Sequence, residues 1–269
     1  MPKLALALSL VVVLIACAAP AAVPDAAVSD LAPGGTLRAA INFGNPILAT
    51  KDSATGEARG VSVDLARELA RRLGVPVELV TFTTAGQVVD ALKGGRVDVG
   101  FVAIDPERAA DVSYTAPYVI IEGAYLVHAD SPIRDNADVD RAGTRVAVGA
   151  RSAYDLYLSR ELKNATIVRA PSSPEVTDFF LAQRLDVAAG VKQQLEADAR
   201  RLPGLRLLEG RFMVINQAMG TPRGRAAGAR YLTDFVVTMK TSGFVAQALA
   251  RHGIEGVTVA RLAVATVVL

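Results

Sequence analysis

From Thr36 onward, short apolar runs alternate with amphipathic segments, and this alternation constrains the fold more than any other feature of the chain. Strands separated by helices pair in parallel, since a crossover helix carries the chain back to the same end of the sheet. The fold class is therefore α/β, with helices on the faces of a largely parallel sheet. Residues 37–41 make the first strand. A helix follows Gly60, with Leu65, Leu69 and Leu73 at four-residue spacing and Ala66 and Ala70 beside them. Its acids, Asp64 and Glu68, precede Arg71 and Arg72, the order that the helix dipole favours. Gly74 stops this helix, and Pro76 opens a strand over 77–80. A second helix carries Val88, Val89 and Leu92, ends at Gly94-Gly95, and leads into a strand over 97–102.

One unit occurs twice. Asp90-x5-Arg96-Val97-Asp98-Val99 and Asp178-x5-Arg184-Leu185-Asp186-Val187 share their spacing at a displacement of 88 residues. Each copy is a helix end, a turn and a strand start. The repetition predicts two lobes of similar build, each with its own small sheet. Between the copies, 145–148 is a strand, 152–162 a helix and 165–168 a strand. Ser152-x-x-Asp155 forms a capping box at the helix N-terminus. A helix over 192–201, a strand over 205–208, an apolar stretch over 212–219 and two closing helices complete the pattern.

Composition narrows the function. With 29 basic and 27 acidic residues the net charge is +2, and Lys and Arg do not cluster on one element, so no nucleic-acid partner is expected. Aromatic residues make up 5% and Trp is absent, which leaves no stacking platform for bases or sugar rings. His128 and His252 stand apart, without cysteines or paired carboxylates around them, so neither a metal nor another cofactor is expected. Ser62, Ser113 and Ser159 lack a nucleophile-elbow context.

The N-terminus reads as a leader over residues 1–17. Lys3 precedes an apolar run over 4–15 that is shorter than the roughly twenty residues of a membrane span. Leu14-Ile15-Ala16-Cys17 resembles the lipobox of bacterial lipoproteins, which implies lipidation at Cys17, the single cysteine. An ordinary signal cut after Ala16-Cys17-Ala18 is the alternative. Either way the mature protein is exported, to the periplasm or cell envelope. Residues 18–35, rich in Ala, Pro and Gly, are expected to be a flexible tether.

Three longer segments carry a resemblance. They are GVSVDLARELARRLGVPVE at 60–78, DALKGGRVDVGFVAIDPERAADVSYTAPY at 90–118 and RVAVGARSAYDLYL at 145–158. Together they resemble the bacterial extracellular solute-binding proteins of family 3, over about residues 36–257. The resemblance implies the type II periplasmic-binding fold: two Rossmann-like lobes joined by two crossing strands, over 121–128 and 212–219. Lobe 1 would be discontinuous, made of 36–125 and 215–257, and lobe 2 would be 126–214. Residues 258–269 form an apolar tail that the pattern does not explain. The implied function is capture of a small carboxylate-bearing solute, an amino acid or related organic acid, by a monomer that serves an ABC permease. A periplasmic dehydratase acting on a cyclohexadienyl acid is the competing reading, although the only acid–base candidates are Glu122 and Lys192.

The resemblance also implies site residues. Arg108 in the Pro-Glu-Arg turn would pair with the ligand carboxylate, and a planar guanidinium suits two oxygens in one plane. Ser152 and the N–H groups of Ala153 and Tyr154 would hold the same anion at a helix N-terminus. The strand before Arg108, which in the family offers hydroxyls, offers Phe101 and Ala103. Asn42 and Asn45 stand where the first loop carries an acid and an aromatic, and Ala85 where a stacking aromatic is usual. Gly190, Val191 and Lys192 stand where the acid that binds an α-ammonium belongs. Phe101 and Tyr154 are the candidates for a stacking face, with a core role the stronger reading for Phe101, and Lys192 would favour a second negative charge if it reaches the cleft.

Overall fold

Residues 22–262 are described by a computed structural model, in which the alternating pattern becomes two α/β halves. The first runs α1 (Asp25–Leu31), β1 (Leu37–Asn42), the hairpin strands β2 (Thr50–Lys51) and β3 (Ala58–Arg59), then α2 (Val61–Leu73) and β4 (Val77–Phe82). It continues through α3 (Ala85–Lys93), β5 (Val99–Ala103) and β6 (Val112–Tyr114). β7 (Val119–His128) crosses to the second half: β8 (Arg145–Gly149), α4 (Ala153–Glu161), β9 (Thr166–Ala170), α5 (Val176–Ala182), β10 (Val187–Val191), α6 (Lys192–Arg201) and β11 (Leu205–Leu207). β12 (Met213–Pro222) crosses back, and α7 (Ala226–Thr241), α8 (Phe244–Arg251) and β13 (Thr258–Val259) complete the first half.

α2 shows how the sequence drives packing. Its leucines and alanines are buried against the sheet, while Arg71 and Arg72 both pair with Glu68 on the outer side. Gly74 ends it in the left-handed region at φ 71°, and its N–H returns to the carbonyls of Ala70 and Arg71. Glycine reaches that conformation without the clash a Cβ would bring.

The sheet order is β4-β1-β5-β12-β7-β10-β8-β9. β1 lies parallel to β4 and β5, and β8 parallel to β9 and β10. The expectation of two separate small sheets is corrected here, because β7 and β12 pair with each other from Met213↔Gly123 to Gln217↔Val119. Each has ten residues, about 33 Å of extended chain, enough to edge both halves in one hydrogen-bonded ladder.

The duplicated junction serves the same purpose in both halves. The Asp98 N–H donates to the Arg38 carbonyl at 2.8 Å, and the Asp98 carboxylate accepts from the Arg38 N–H at 3.0 Å. In the second half the Asp186 N–H donates to the Arg145 carbonyl at 3.1 Å, and its carboxylate accepts from the Arg145 N–H at 2.8 Å. Each aspartate thus clasps the strand start beside its own.

One terminal expectation changes, and the other terminal segment gains a place. The stretch 18–35 is not a tether throughout, since α1 docks on α7. Ala27 and Leu31 are buried, and the Asp30 carboxylate accepts from the Gly228 N–H at 2.9 Å. The Ala- and Pro-rich composition hid a short apolar stripe of Ala27, Val28 and Leu31 just after Pro24. The segment from 258, which the sequence left unexplained, begins by joining the sheet: Thr258 and Val259 pair with Ile120 and Val119, and the buried Ala260 donates to the Tyr118 carbonyl at 3.1 Å. The leader with Cys17, and residues 263–269, lie outside the described residues.

Candidate functional site

The loop after β1 is held by its own backbone. The Asn42 Oδ1 accepts from the Gly44 N–H at 2.9 Å, and the Asn45 N–H donates to the Asn42 carbonyl at 3.2 Å. The Asn45 carbonyl in turn accepts from Leu48 and Ala49 at 3.0 and 3.1 Å. These bonds fix the loop and leave the Asn45 side chain for another use. Its Oδ1 is buried and has no hydrogen-bond partner among the described residues.

Arg108 stands on a single 3-10 turn just beyond β5. Asp105 builds the turn: its Oδ1 accepts from the Glu107 N–H at 2.9 Å and its carbonyl from Ala109 at 3.0 Å. The Arg108 side chain is 4% exposed. It donates to the carbonyls of Ala103 at 3.2 Å and Arg151 at 2.8 Å, and bonds to no carboxylate among the described residues. Burial pushes the guanidinium below its ordinary value. Five N–H donors with two in use leave three, on a buried cation to which no carboxylate is bonded among the described residues. An anion in the adjoining space relieves both deficits.

The third wall is the N-terminus of α4. The Ser152 Oγ caps the helix by accepting from the Asp155 N–H at 3.0 Å. The other half of the expected box is displaced by one residue, because the Asp155 carboxylate accepts from Arg151 N–H at 2.7 Å. The first N–H groups of α4 have no carbonyl of their own helix to reach, which makes this end receptive to an anion. Tyr154 is fully buried beside it, and burial pushes its phenol up to about 12, so it stays neutral.

These pieces line one small space between the two halves, with about 30 Å³ of free volume. Asn42, Asn45, Ala85, Ala103 and Arg108 line it from the first half, and Ser152, Ala153 and Val191 from the second. Gly44, Tyr154, Ser173, Ile215 and Gln217 complete the wall. Of these, only Tyr154 was read as a ligand candidate from sequence. Ile215 and Gln217 share one face of β12, and a buried Gln inside the apolar stretch 212–219 was the available signal.

Phe101 is the exception among the expected site residues. It meets Tyr118 edge to face at 6.3 Å between ring centres, in the core, and does not line the space. Phe101 and Ala103 share a face of β5, but they lie almost 7 Å apart along the strand. Only the carboxyl end of the strand reaches the cleft, as is general in open α/β sheets. Lys192 also turns away, to Glu122 at 3.3 Å, so it offers no second positive charge to the cavity. Glu122 is held by Arg211 and Lys192, which keep its carboxyl below the usual range.

Polar bonds cross the mouth. Arg151 forms a two-pronged pair with Asp90 at 2.7 and 2.8 Å, and Arg160 meets Asp105 at 2.7 Å. Gly86 gives Arg151 its place, since a Cβ there would sit 2.7 Å from the Arg151 Nε. On the opposite edge the Gln193 Nε2 donates to the Gly256 carbonyl at 2.6 Å. These bonds tie the two halves together across the cleft.

Two halves on crossing strands, with a small cavity between them that holds a buried cation, are the architecture of a solute-binding protein. Residues 37–254 match the family model of the bacterial extracellular solute-binding proteins, family 3, and the chain belongs to that family. Similar solved structures include a mutant of ArgBP from T. maritima, at 22% identity and TM-score 0.72, covering 84% of this chain and 98% of that one. Another is an ancestral amino acid-binding protein described as a precursor of cyclohexadienyl dehydratase, at 22% identity and TM-score 0.70, covering 83% and 97%. A histidine kinase sensor domain with similarity to periplasmic binding proteins matches at 22% and TM-score 0.72, covering 84% and 98%. At these identities the likeness establishes the shared fold.

Proposed function

We propose that this chain is the substrate-binding component of an ABC uptake transporter and that its ligand is a small carboxylate lacking a cationic amino group. The observation that carries this reading is Arg108, buried without a carboxylate partner in a cavity whose walls hold no Asp, Glu or Lys. A carboxylate ligand supplies the missing counter-charge and takes the unused donors of Arg108 and the α4 terminus. An ammonium brought into the same space loses its water, meets neutral amides only, and lies near a second cation. Catalysis would need a general acid in the cleft, and Glu122 is already committed to Arg211 and Lys192. The protein is read as a binder, not an enzyme.

A thermal-shift screen of the mature protein against amino acids and organic acids tests this. Ligand at a hundred times its Kd stabilises the folded form by about 2.7 kcal/mol, well within detection. Carboxylic acids without an amino group should raise the melting temperature, whereas arginine, lysine and neutral amino acids should not. A clear shift with any of those amino acids would refute the carboxylate-only pocket.

The exported, anchored placement is part of the same proposal. Lipidation at Cys17 would hold this receptor, as a monomer, at the membrane that contains its permease. Wild-type protein should partition with membranes, and Cys17→Ser should release it or leave the precursor uncut. A mature N-terminus beyond residue 17 without lipid, seen by mass spectrometry, would rule the anchor out.

A further inference from the structure

We propose that the ligand is a short hydroxycarboxylate, whose carboxylate faces Arg108 and whose hydroxyl satisfies the side chain of Asn45. This rests on the carboxylate reading above and deepens it. The second group is called for by Asn45 itself. The residue is 8% exposed and lines the cavity, and its Oδ1 lacks a partner among the described residues. Asn42 does not share this deficit, because its Oδ1 already holds the Gly44 N–H.

The choice of partner follows from donor and acceptor chemistry. An unpartnered amide oxygen needs a donor, which excludes keto acids and plain alkanoates. An ammonium donates, but it enters without a carboxylate to neutralise it. A hydroxyl donates at no charge cost. It also accepts, so the same hydroxyl can take a hydrogen bond from a second amide in the wall. Gln217 adds a second amide to the wall, able to hold the hydroxyl from another side. Ala85, Ala103, Val191 and Ile215 provide apolar surface for a short carbon chain. The cavity has about 30 Å³ of free volume, which restricts it to a short ligand.

Four acids of matched size decide the matter: lactate, 3-hydroxypropionate, propionate and alanine, titrated by calorimetry into the mature protein. At least one hydroxy acid should bind tenfold or more tighter than propionate. Asn45→Ala should shrink that ratio to below threefold. Asn45→Asp, which introduces the acid that an ammonium needs, should move preference from lactate toward alanine. Equal binding of propionate and both hydroxy acids overturns the hydroxyl proposal and leaves the carboxylate reading standing. The same follows if neither hydroxy acid binds, or if Asn45→Ala keeps the full ratio. Alanine binding tightest to the wild type instead overturns the underlying carboxylate reading.

Discussion

Arg108→Ala is expected to lower carboxylate affinity at least tenfold while leaving the ligand-free protein as stable as before, or slightly more so. The two halves of this expectation have one cause. Hydrogen bonds to a charged group are worth about 1.5–3 kcal/mol each, so the loss of even one accounts for the tenfold drop. Most ion-pair deletions also destabilise the fold, because the abandoned partner is left charged and buried. Arg108 has no such partner among the described residues; it donates only to the carbonyls of Ala103 and Arg151. Removing it leaves two carbonyls short of a donor but relieves the burial of a cation. Arg108→Lys should be intermediate in affinity, since it keeps charge but not the planar fork. Calorimetry and melting curves on the same samples check both halves. A large fall in the ligand-free melting temperature, or unchanged affinity, would make Arg108 a structural residue.

The order of elements was legible because each signal was local. α6 starts and ends where the sequence predicts, and α2 stops at Gly74 as read. The Arg108 turn and the Ser152 cap were legible for the same reason, each set by residues within three or four positions of the site. What failed depended on distant partners. α1 is helical because α7 gives its apolar stripe somewhere to bury, and nothing in 25–31 announces that partner. Phe101 was a ligand candidate only by its place in the family's strand, with the core the stronger reading, and a residue's place in a strand fixes its face but not its depth. Lys192 was ambiguous because a long side chain reaches either the cleft or Glu122, and only the second half's placement decides it. Gln217 enters the site from a strand shared by both halves, a position that no local spacing encodes.

The repeated junction also yields the sharpest stability contrast: Asp98→Asn should cost several kcal/mol, and the matching Asp186→Asn very little. The two aspartates are equivalent in sequence and in the strand start that each clasps, yet their surroundings differ. The Asp98 side chain is wholly buried and accepts from Arg38 Nε and Nη2 at 2.9 and 2.7 Å and from Arg225 Nη1 at 2.7 Å. Arg225 in turn donates to the Asp30 carbonyl at 2.7 Å, so Asp98 ties together β1, β5, α7 and α1. Burial pushes the Asp98 carboxyl up, but the hydrogen bonds from Arg38 and Arg225 together outweigh it and hold it below the ordinary value. Breaking such a pair strands two cations and costs about 3–5 kcal/mol. At roughly 2–4 °C per kcal/mol for a domain of this size, the melting temperature should fall by on the order of 10 °C. Asp186 is 41% exposed at its side chain and meets the Arg145 Nε at 3.3 Å, a surface pair worth about 0–1 kcal/mol. The sign with pH is fixed by the direction of the Asp98 shift. A carboxyl depressed in the folded state contributes stability above its unfolded value of about 3.9 and loses it as pH falls through the folded value. The gap between wild type and Asp98→Asn should therefore be full at pH 7 and narrow steadily below about pH 4. Melting curves of the wild type and both variants at pH 7 and pH 3 measure this directly. Equal losses for the two variants at pH 7, or a gap for Asp98→Asn that does not narrow in acid, would contradict the assignment of Asp98 as the buried anionic tie of the first half.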